Sequence, residues 1–382
     1  MVKFGKPAID QEELQAVTDV LDSGVFVHGN QTSDFEREFA EKFGYQHAVS
    51  VSSCTAGLHL AHWSLLQAAE PIVGRGRSEV ICTAMTHVAT AHAIELAGLK
   101  PIFVDCDAHD GNINAQAIEA ALSERTAGIA AMHFNGIPCD MPTINEFADR
   151  YGLYVVEDCA ISLGATLGGQ PVGSLGDIGC FSFHPVKQMT TGEGGMIVTN
   201  HASLADQLRL QRAFGVDRNF KERRVPGFYD VPLLGFNYRM PELAAAIGRV
   251  QLKKFDQMEA TRCRNFNALA EHITDIKGLE IKGHQGKAGR AYYTLICEVK
   301  QSANISRDQV IEKLLDRGVQ PSIYYPHPIP RLSYYKRKYK LKVSSFPNAK
   351  NFADNCLALP IGAHLGLGEM SQIGDALSEI MK

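Results

Sequence analysis

The chain has 382 residues, 45% hydrophobic and 21% charged, and its 38 Lys+Arg against 42 Asp+Glu leave a net charge of −4. That balance, with a sequence pI near 6.4, gives no electrostatic reason to expect nucleic acid or an anionic membrane as partner. The length exceeds what one core usually supports, so a large domain carrying a smaller one is expected. No apolar run of about 18 residues suggests a membrane span, and the opening MVKFGKPAIDQEEL lacks a basic-then-apolar leader pattern, so a cytoplasmic protein is expected. The nine cysteines are scattered without a C-x-x-C pair, which fits neither a disulfide framework nor a cysteine zinc site; no metal is expected.

In chain order, short apolar runs alternate with helical patterns from about residue 46 to 200, as in a mostly parallel sheet covered by helices. The strands are expected at His47–Val51, Glu79–Thr83, Pro101–Val104, Gly128–Met132, Leu153–Glu157, Ile178–Phe183 and Met196–Thr199. Between them, helices are expected at Thr55–Ala68, Val88–Ala97 and Met141–Tyr151; the last carries Ile144, Phe147, Ala148 and Tyr151 at i, i+3, i+4, i+7. Residues 216–236 mix charge, Pro and Gly and read as a loop. Arg239 to Met258 reads as a long amphipathic helix. A smaller α+β unit follows, with a strand at Ala291–Val299, a helix at Ser306–Arg317 and a strand at Val319–Tyr325. The expected division is a large domain over 1–250 and a small one over 251–382.

In open α/β sheets ligands bind beyond the carboxyl ends of the strands. There the sequence places Ser52-Ser53-Cys54-Thr55-Ala56 entering a helix, Met85-Thr86-His87, His133-Phe134-Asn135-Gly136, Asp158, and His184-Pro185-Val186-Lys187 followed by Thr190-Thr191-Gly192-Glu193-Gly194-Gly195. Each alone has an ordinary explanation as a cap, an ion-pair partner or a surface charge. Together they describe one chemistry: a helix N-terminus with hydroxyls for a phosphate, a carboxylate for a protonated pyridine nitrogen, and a lysine for an aldehyde. That is a pyridoxal phosphate site. No G-x-G-x-x-G follows a first strand, which disfavours a nicotinamide enzyme.

The segment Phe181-Ser-Phe-His-Pro-Val-Lys187 with Thr190-Thr-Gly-Glu-Gly-Gly195 closely resembles the lysine motif of the DegT/StrS family, fold-type I aminotransferases that mostly act on nucleotide-linked keto-sugars. The resemblance runs from Gly29 through Thr55-Ala56-Gly57-Leu58, Thr86-His87-Val88-Ala89-Thr90-Ala91, Val156-Glu157-Asp158, Gly173-Ser-Leu-Gly-Asp177 and Gly235-Phe-Asn-Tyr-Arg-Met240 to Leu359-Pro360. It implies a large, mostly parallel mixed sheet flanked by helices and a smaller C-terminal α+β domain. It also implies that Lys187 binds the cofactor as a Schiff base and then shuttles the substrate proton. Asp158 would pair with the pyridine nitrogen, Cys54, Thr55, Ala56 and Ser182 would hold the phosphate, and His87 would lie over the ring.

Further implied are substrate contacts from His184, Arg239, Tyr324 and His327, an amino-acid donor such as L-glutamate, and a homodimer with shared sites, because Asn237 would reach the neighbouring subunit's cofactor. Cys54 stands where many members have Gly, and Ile161 where a Gln is usual. Members that dehydrate sugars carry His in place of the lysine, so Lys187 favours amino transfer over the alternatives, a dehydratase or a non-catalytic regulator on the same scaffold.

Overall fold

The computed structural model describes residues 1–68, 76–217, 225, 227–283 and 289–382; part of the loop expected at 216–236 lies outside them. Its centre is a seven-stranded sheet. In chain order the strands are β1 (His47–Val51), β2 (Glu79–Thr83), β3 (Lys100–Val104), β4 (Thr126–Met132), β5 (Tyr154–Asp158), then, after a two-residue hairpin pair β6 (Thr166–Leu167) and β7 (Gln170–Pro171), β8 (Ile178–Ser182) and β9 (Gly195–Thr199). The spatial order is β1-β9-β8-β5-β4-β2-β3, parallel except that β9 runs antiparallel to both neighbours. β2, β4, β5 and β9 are buried along their whole length, as expected of strands covered on both faces. This is the α/β architecture anticipated above.

Helices α1 (Gln11–Ser23), α2 (Asn30–Phe43), α3 (Cys54–Ala68), α4 (Val88–Leu96), α5 (Ala115–Ala121), α6 (Met141–Tyr151) and α7 (Ala202–Gln211) flank this sheet. Their ends follow local chemistry. Asp10 and Glu13 form a capping box on α1, and Asp140 caps α6, which stops at Gly152 in the left-handed conformation.

Helix α8 runs 32 residues, Glu242–Ile273, and differs from the expected Arg239–Met258 at both ends. Pro241 takes the N-cap position in extended conformation, so the helix begins after it. Beyond Met258 the polar residues Arg262 and Asn265 are buried: the stretch that looks like a solvated face is packed against the second layer. Residue 250 falls inside this helix.

The C-terminal part holds an antiparallel sheet of β10 (Leu279–Ile281), β11 (Leu295–Val299) and β12 (Cys356–Leu359), with α9 (Arg307–Asp316), α10 (Ser333–Tyr339), α11 (Pro347–Asn355) and α12 (Leu367–Ile380). Its own core gathers Phe266, Leu269 and Ile273 of α8 with Leu295, Leu314, Leu357 and Leu377. The strand expected at Val319–Tyr325 does not form. Val319 makes one parallel bridge to Val2 and Ser322 one antiparallel bridge to Ala358, so the segment spends its hydrogen bonds on two different partners. No helix among the described residues is long and apolar enough to cross a membrane.

Candidate active site

Because β1, β2, β4, β5 and β8 point the same way, their carboxyl ends meet along one edge. Asp158 ends β5, Ser182 ends β8, and α3 starts at Cys54 just past β1. Burial alternates from the end of β8 onward: Phe181 and Phe183 are fully buried, Ser182 is half-buried and His184 exposed.

The mouth of α3 is shaped by backbone. Ala56 N–H donates to Ser53 Oγ (3.1 Å) and Gly57 N–H to the Ser53 carbonyl (3.0 Å), while the N–H groups of Cys54 and Thr55 precede the first intrahelical bond. The start of β9 passes directly against them. A Cβ on Gly195 would come within 2.7 Å of Cys54 N, so only glycine lets the strand approach this closely. The Cys54 thiol points inward to the Cys180 carbonyl (3.6 Å); burial and then Asp158 push its pKa well up, so it stays a thiol.

Asp158 is buried. Its Oδ2 accepts from Thr90 Oγ1 (2.6 Å) and its Oδ1 from Ala160 N–H (3.1 Å); Thr90 in turn lies 2.7 Å from Thr86 Oγ1. A carboxylate accepts about four hydrogen bonds, so Asp158 retains capacity for a further donor. His87 caps α4: its Nδ1 accepts from Ala89 N–H (3.2 Å), which leaves the proton on Nε2. Burial lowers the His87 pKa, Asp158 opposes that, and Lys187 adds to it.

Lys187 sits on the loop between β8 and β9. Burial lowers the pKa of its amine, against the pull of Cys54, Asp158 and Glu193, and Nζ lies 5.1 Å from the centre of the Tyr293 ring. The structure thus brings Cys54, His87, Asp158 and Lys187 into one electrostatic neighbourhood, with Thr55 and Ala56 following Cys54 on α3, Ser182 ending β8, and His184 near enough to lower the His87 pKa further.

The other expected residues lie further out. Tyr324 hydrogen-bonds Tyr293 through the two hydroxyls (2.8 Å). Asn237 is exposed, in a segment anchored by Ser52 N–H to the Tyr238 carbonyl (2.8 Å). The Arg239 guanidinium stacks over Phe214 (5.0 Å), and His327 is exposed. Ile161 is buried in the core, with its carbonyl accepting from Gln188 Nε2 (3.3 Å).

Sequence reasoning missed Tyr293 and Thr90 as site residues. Thr90 had a signal, a second hydroxyl in the Thr86–Ala91 segment that enters α4; Tyr293 had none beyond its expected strand. The Tyr325 ring also meets His87, at 5.7 Å between ring centres.

One buried trio, His133, Glu157 and Cys159, has ligand atoms within 4.8 Å of one another. Glu157 Oε2 accepts from His133 Nε2 (2.9 Å) and Gly173 N–H (2.7 Å), and Oε1 from Leu175 (2.8 Å) and Gly176 (2.6 Å) N–H. With Cys139 N–H donating to His133 Nδ1 (3.0 Å), the lone pairs a cation would need are occupied.

A desolvated amine, a carboxylate with spare lone pairs, an imidazole and a helix N-terminus kept open by Gly195 fit pyridoxal phosphate: an aldehyde, a protonated ring nitrogen, a ring face and a phosphate. These features define a pyridoxal-phosphate enzyme of the aminotransferase type. Residues 7–378 match the DegT/DnrJ/EryC1/StrS aminotransferase family, whose members depend on that cofactor, and the chain belongs to this family.

Among its relatives, the chain is 33% identical over 384 residues to the spore coat polysaccharide biosynthesis protein SpsC of Bacillus subtilis, covering 99% of this chain and 97% of that one. It superposes with a TM-score of 0.92 at 25% identity on Helicobacter pylori PseC, an aminotransferase involved in the biosynthesis of pseudoaminic acid, covering 100% and 99% of the two chains. On DesI, solved in the presence of its TDP-sugar product, the TM-score is 0.87 at 32% identity, covering 99% and 92%.

Proposed function

We propose that this aminotransferase moves an amino group from an amino acid, L-glutamate, to a keto group of a nucleotide-linked deoxysugar. One observation carries the reading: the half-buried Lys187 amine lies within electrostatic reach of both Asp158, whose carboxylate has capacity to spare, and Cys54 at the open N-terminus of α3. The pseudoaminic acid named for PseC and the TDP-sugar product named for DesI support the acceptor class.

When bound, the cofactor supplies an electron sink conjugated to the substrate carbon. The chain supplies the rest. Cys54 and Thr55 N–H groups with the Thr55 and Ser182 hydroxyls hold the phosphate. Asp158, oriented by Thr90 and Ala160, holds the ring-nitrogen proton. His87 presents its imidazole to the ring face. Lys187, whose pKa burial lowers, would take the substrate α-proton and return it to the cofactor carbon on the far side of the shared nitrogen, two bonds away. His184, Arg239, Tyr324 and His327 are assigned to the substrate side.

The assembly in this reading is a homodimer sharing its sites through Asn237. Phe228, Val231 and Leu234, within nine residues of Asn237, are all about half exposed or more, apolar surface of the kind an interface would cover. The reading also includes a division near residue 250 and a cytoplasmic setting.

The test is reconstitution with pyridoxal phosphate. The expected product is yellow, with borohydride fixing the cofactor on Lys187 and Lys187→Ala showing no adduct. Glutamate should bleach the colour, and 3-keto or 4-keto sugar nucleotides should gain an amine by mass. A colourless wild type overturns the reading; dehydration of a sugar nucleotide without glutamate replaces it with a dehydratase. Dimers pairing Lys187→Ala with Asn237→Ala chains should regain activity above either parent if sites are shared.

A further inference from the structure

Lys187 belongs to no helix or strand, yet its amine must keep one place for the chemistry above. Its own N–H donates to the His184 carbonyl (2.9 Å), a local turn. Its carbonyl accepts from Arg262 Nη2 (3.3 Å), and the same guanidinium donates through Nη1 to the Tyr293 carbonyl (3.2 Å). Tyr293 is the residue whose ring faces Lys187 Nζ. One planar fork therefore holds the backbones of two residues whose side chains meet at the reacting amine.

Arg262 is buried in the middle of α8. Three residues before it, Glu259 accepts the Tyr292 N–H (2.6 Å). Three residues after it, Asn265 reaches the carbonyls of Ile361, Gly362 and Leu365. The i, i+3 spacing puts all three on one helix face, so a row of polar side chains fastens the start of the small sheet to α8. Only the central one touches the Lys187 loop. Burying a guanidinium is costly, and two carbonyls could be met by a neutral side chain; what arginine adds is two donors at fixed spacing.

We propose that Arg262 is a positioning residue for Lys187: by bridging the Lys187 and Tyr293 carbonyls it keeps the amine against the Tyr293 ring and out of water. The proposal rests on the reading of Lys187 as the reactive amine. Desolvation is the first cause of the lowered Lys187 pKa, so loosening the bridge should let water in and move that pKa up toward an ordinary lysine.

The experiment uses cofactor-free protein and an amine-acylating reagent, with modification of the Lys187 peptide followed by mass spectrometry across pH. In Arg262→Lys, which keeps the charge and loses the fork, the midpoint should rise by about half a unit or more, a scale set by partial loss of desolvation. In Asn265→Ala, which loosens the same helix face without touching Lys187 or Tyr293, it should stay at the wild-type value. After reconstitution, Arg262→Lys should lower kcat with little change in KM for the amino donor.

An unshifted midpoint in folded Arg262→Lys, or an equal shift in Asn265→Ala, overturns the proposal. Should Arg262→Lys fail to fold, Arg262→Gln, which retains a donor for one carbonyl at most and cannot bridge both, takes its place; its midpoint should rise likewise, and no change there overturns the proposal too. A wild type that never takes up the cofactor sinks the parent reading instead, and is seen separately.

Discussion

Glu157 and Asp158 are adjacent on β5 and both buried, yet they face opposite sides of the sheet and live differently. Glu157 accepts four hydrogen bonds, from His133 and from the N–H groups of Gly173, Leu175 and Gly176. Asp158 accepts two, from Thr90 and Ala160. The saturated carboxylate is a latch that ties the 173–176 turn to the sheet, while the half-satisfied one retains capacity for a further donor. Glu259 extends the series downward: among the described residues it accepts only the Tyr292 N–H and its second oxygen has no hydrogen-bond partner, and burial pushes its pKa up to about 7 despite Arg262 and Arg290. The number of donors, more than burial, separates Glu157 from Asp158.

The comparison breaks most readily at Asp158. Asp158→Asn should lower kcat by roughly 100-fold or more, the scale seen when a group acting on developing charge is lost, while thermal stability barely moves. Glu157→Gln should do the reverse. Its amide N–H atoms would face the Gly173 and His133 donors, so denaturant melts should show a loss of about 2–3 kcal/mol, with turnover per folded molecule close to wild type. If Glu157→Gln spares stability and kills turnover, the division fails.

Glu259 sharpens the series through pH. Its folded pKa is about 7, above the ordinary 4.5, so the folded chain binds more protons than the unfolded one between those values. The stability it contributes is therefore full below about pH 4.5 and is lost as pH rises through about 7, up to about 3 kcal/mol in all. Glu259→Gln should flatten that part of a stability-against-pH curve measured beside wild type; an unchanged slope means Glu259 is ionised in the fold. The smallest effect is expected for Thr90→Val, about 1 kcal/mol of stability for one buried hydrogen bond, with a modest fall in cofactor affinity measured by titration.

Much of the main sheet was legible because buried parallel strands are short apolar runs between turn residues, and each expected strand there lies within two residues of the observed one. The site was legible in part for the same reason: strand ends carry their ligand groups in sequence, as at Asp158 and Ser182. What was not legible depends on distant partners. Val319–Tyr325 has strand-forming residues but finds Val2 and Ala358 in turn, and the polar stretch after Met258 became buried helix because carbonyls of the 187, 293 and 361–365 segments were there to receive it.

By itself, then, the sequence determined the strand and helix succession, the lysine, the carboxylate and the helix N-terminus, since these follow from local periodicity and from motifs read at strand ends. Only the tertiary structure decided that Tyr293 faces the amine, that Thr90 orients Asp158, that Glu157 is saturated and that Arg262 bridges two loops. Those contacts join residues far apart in the chain, and a hydrogen bond's value depends on where its partner lies in space, which no local pattern encodes.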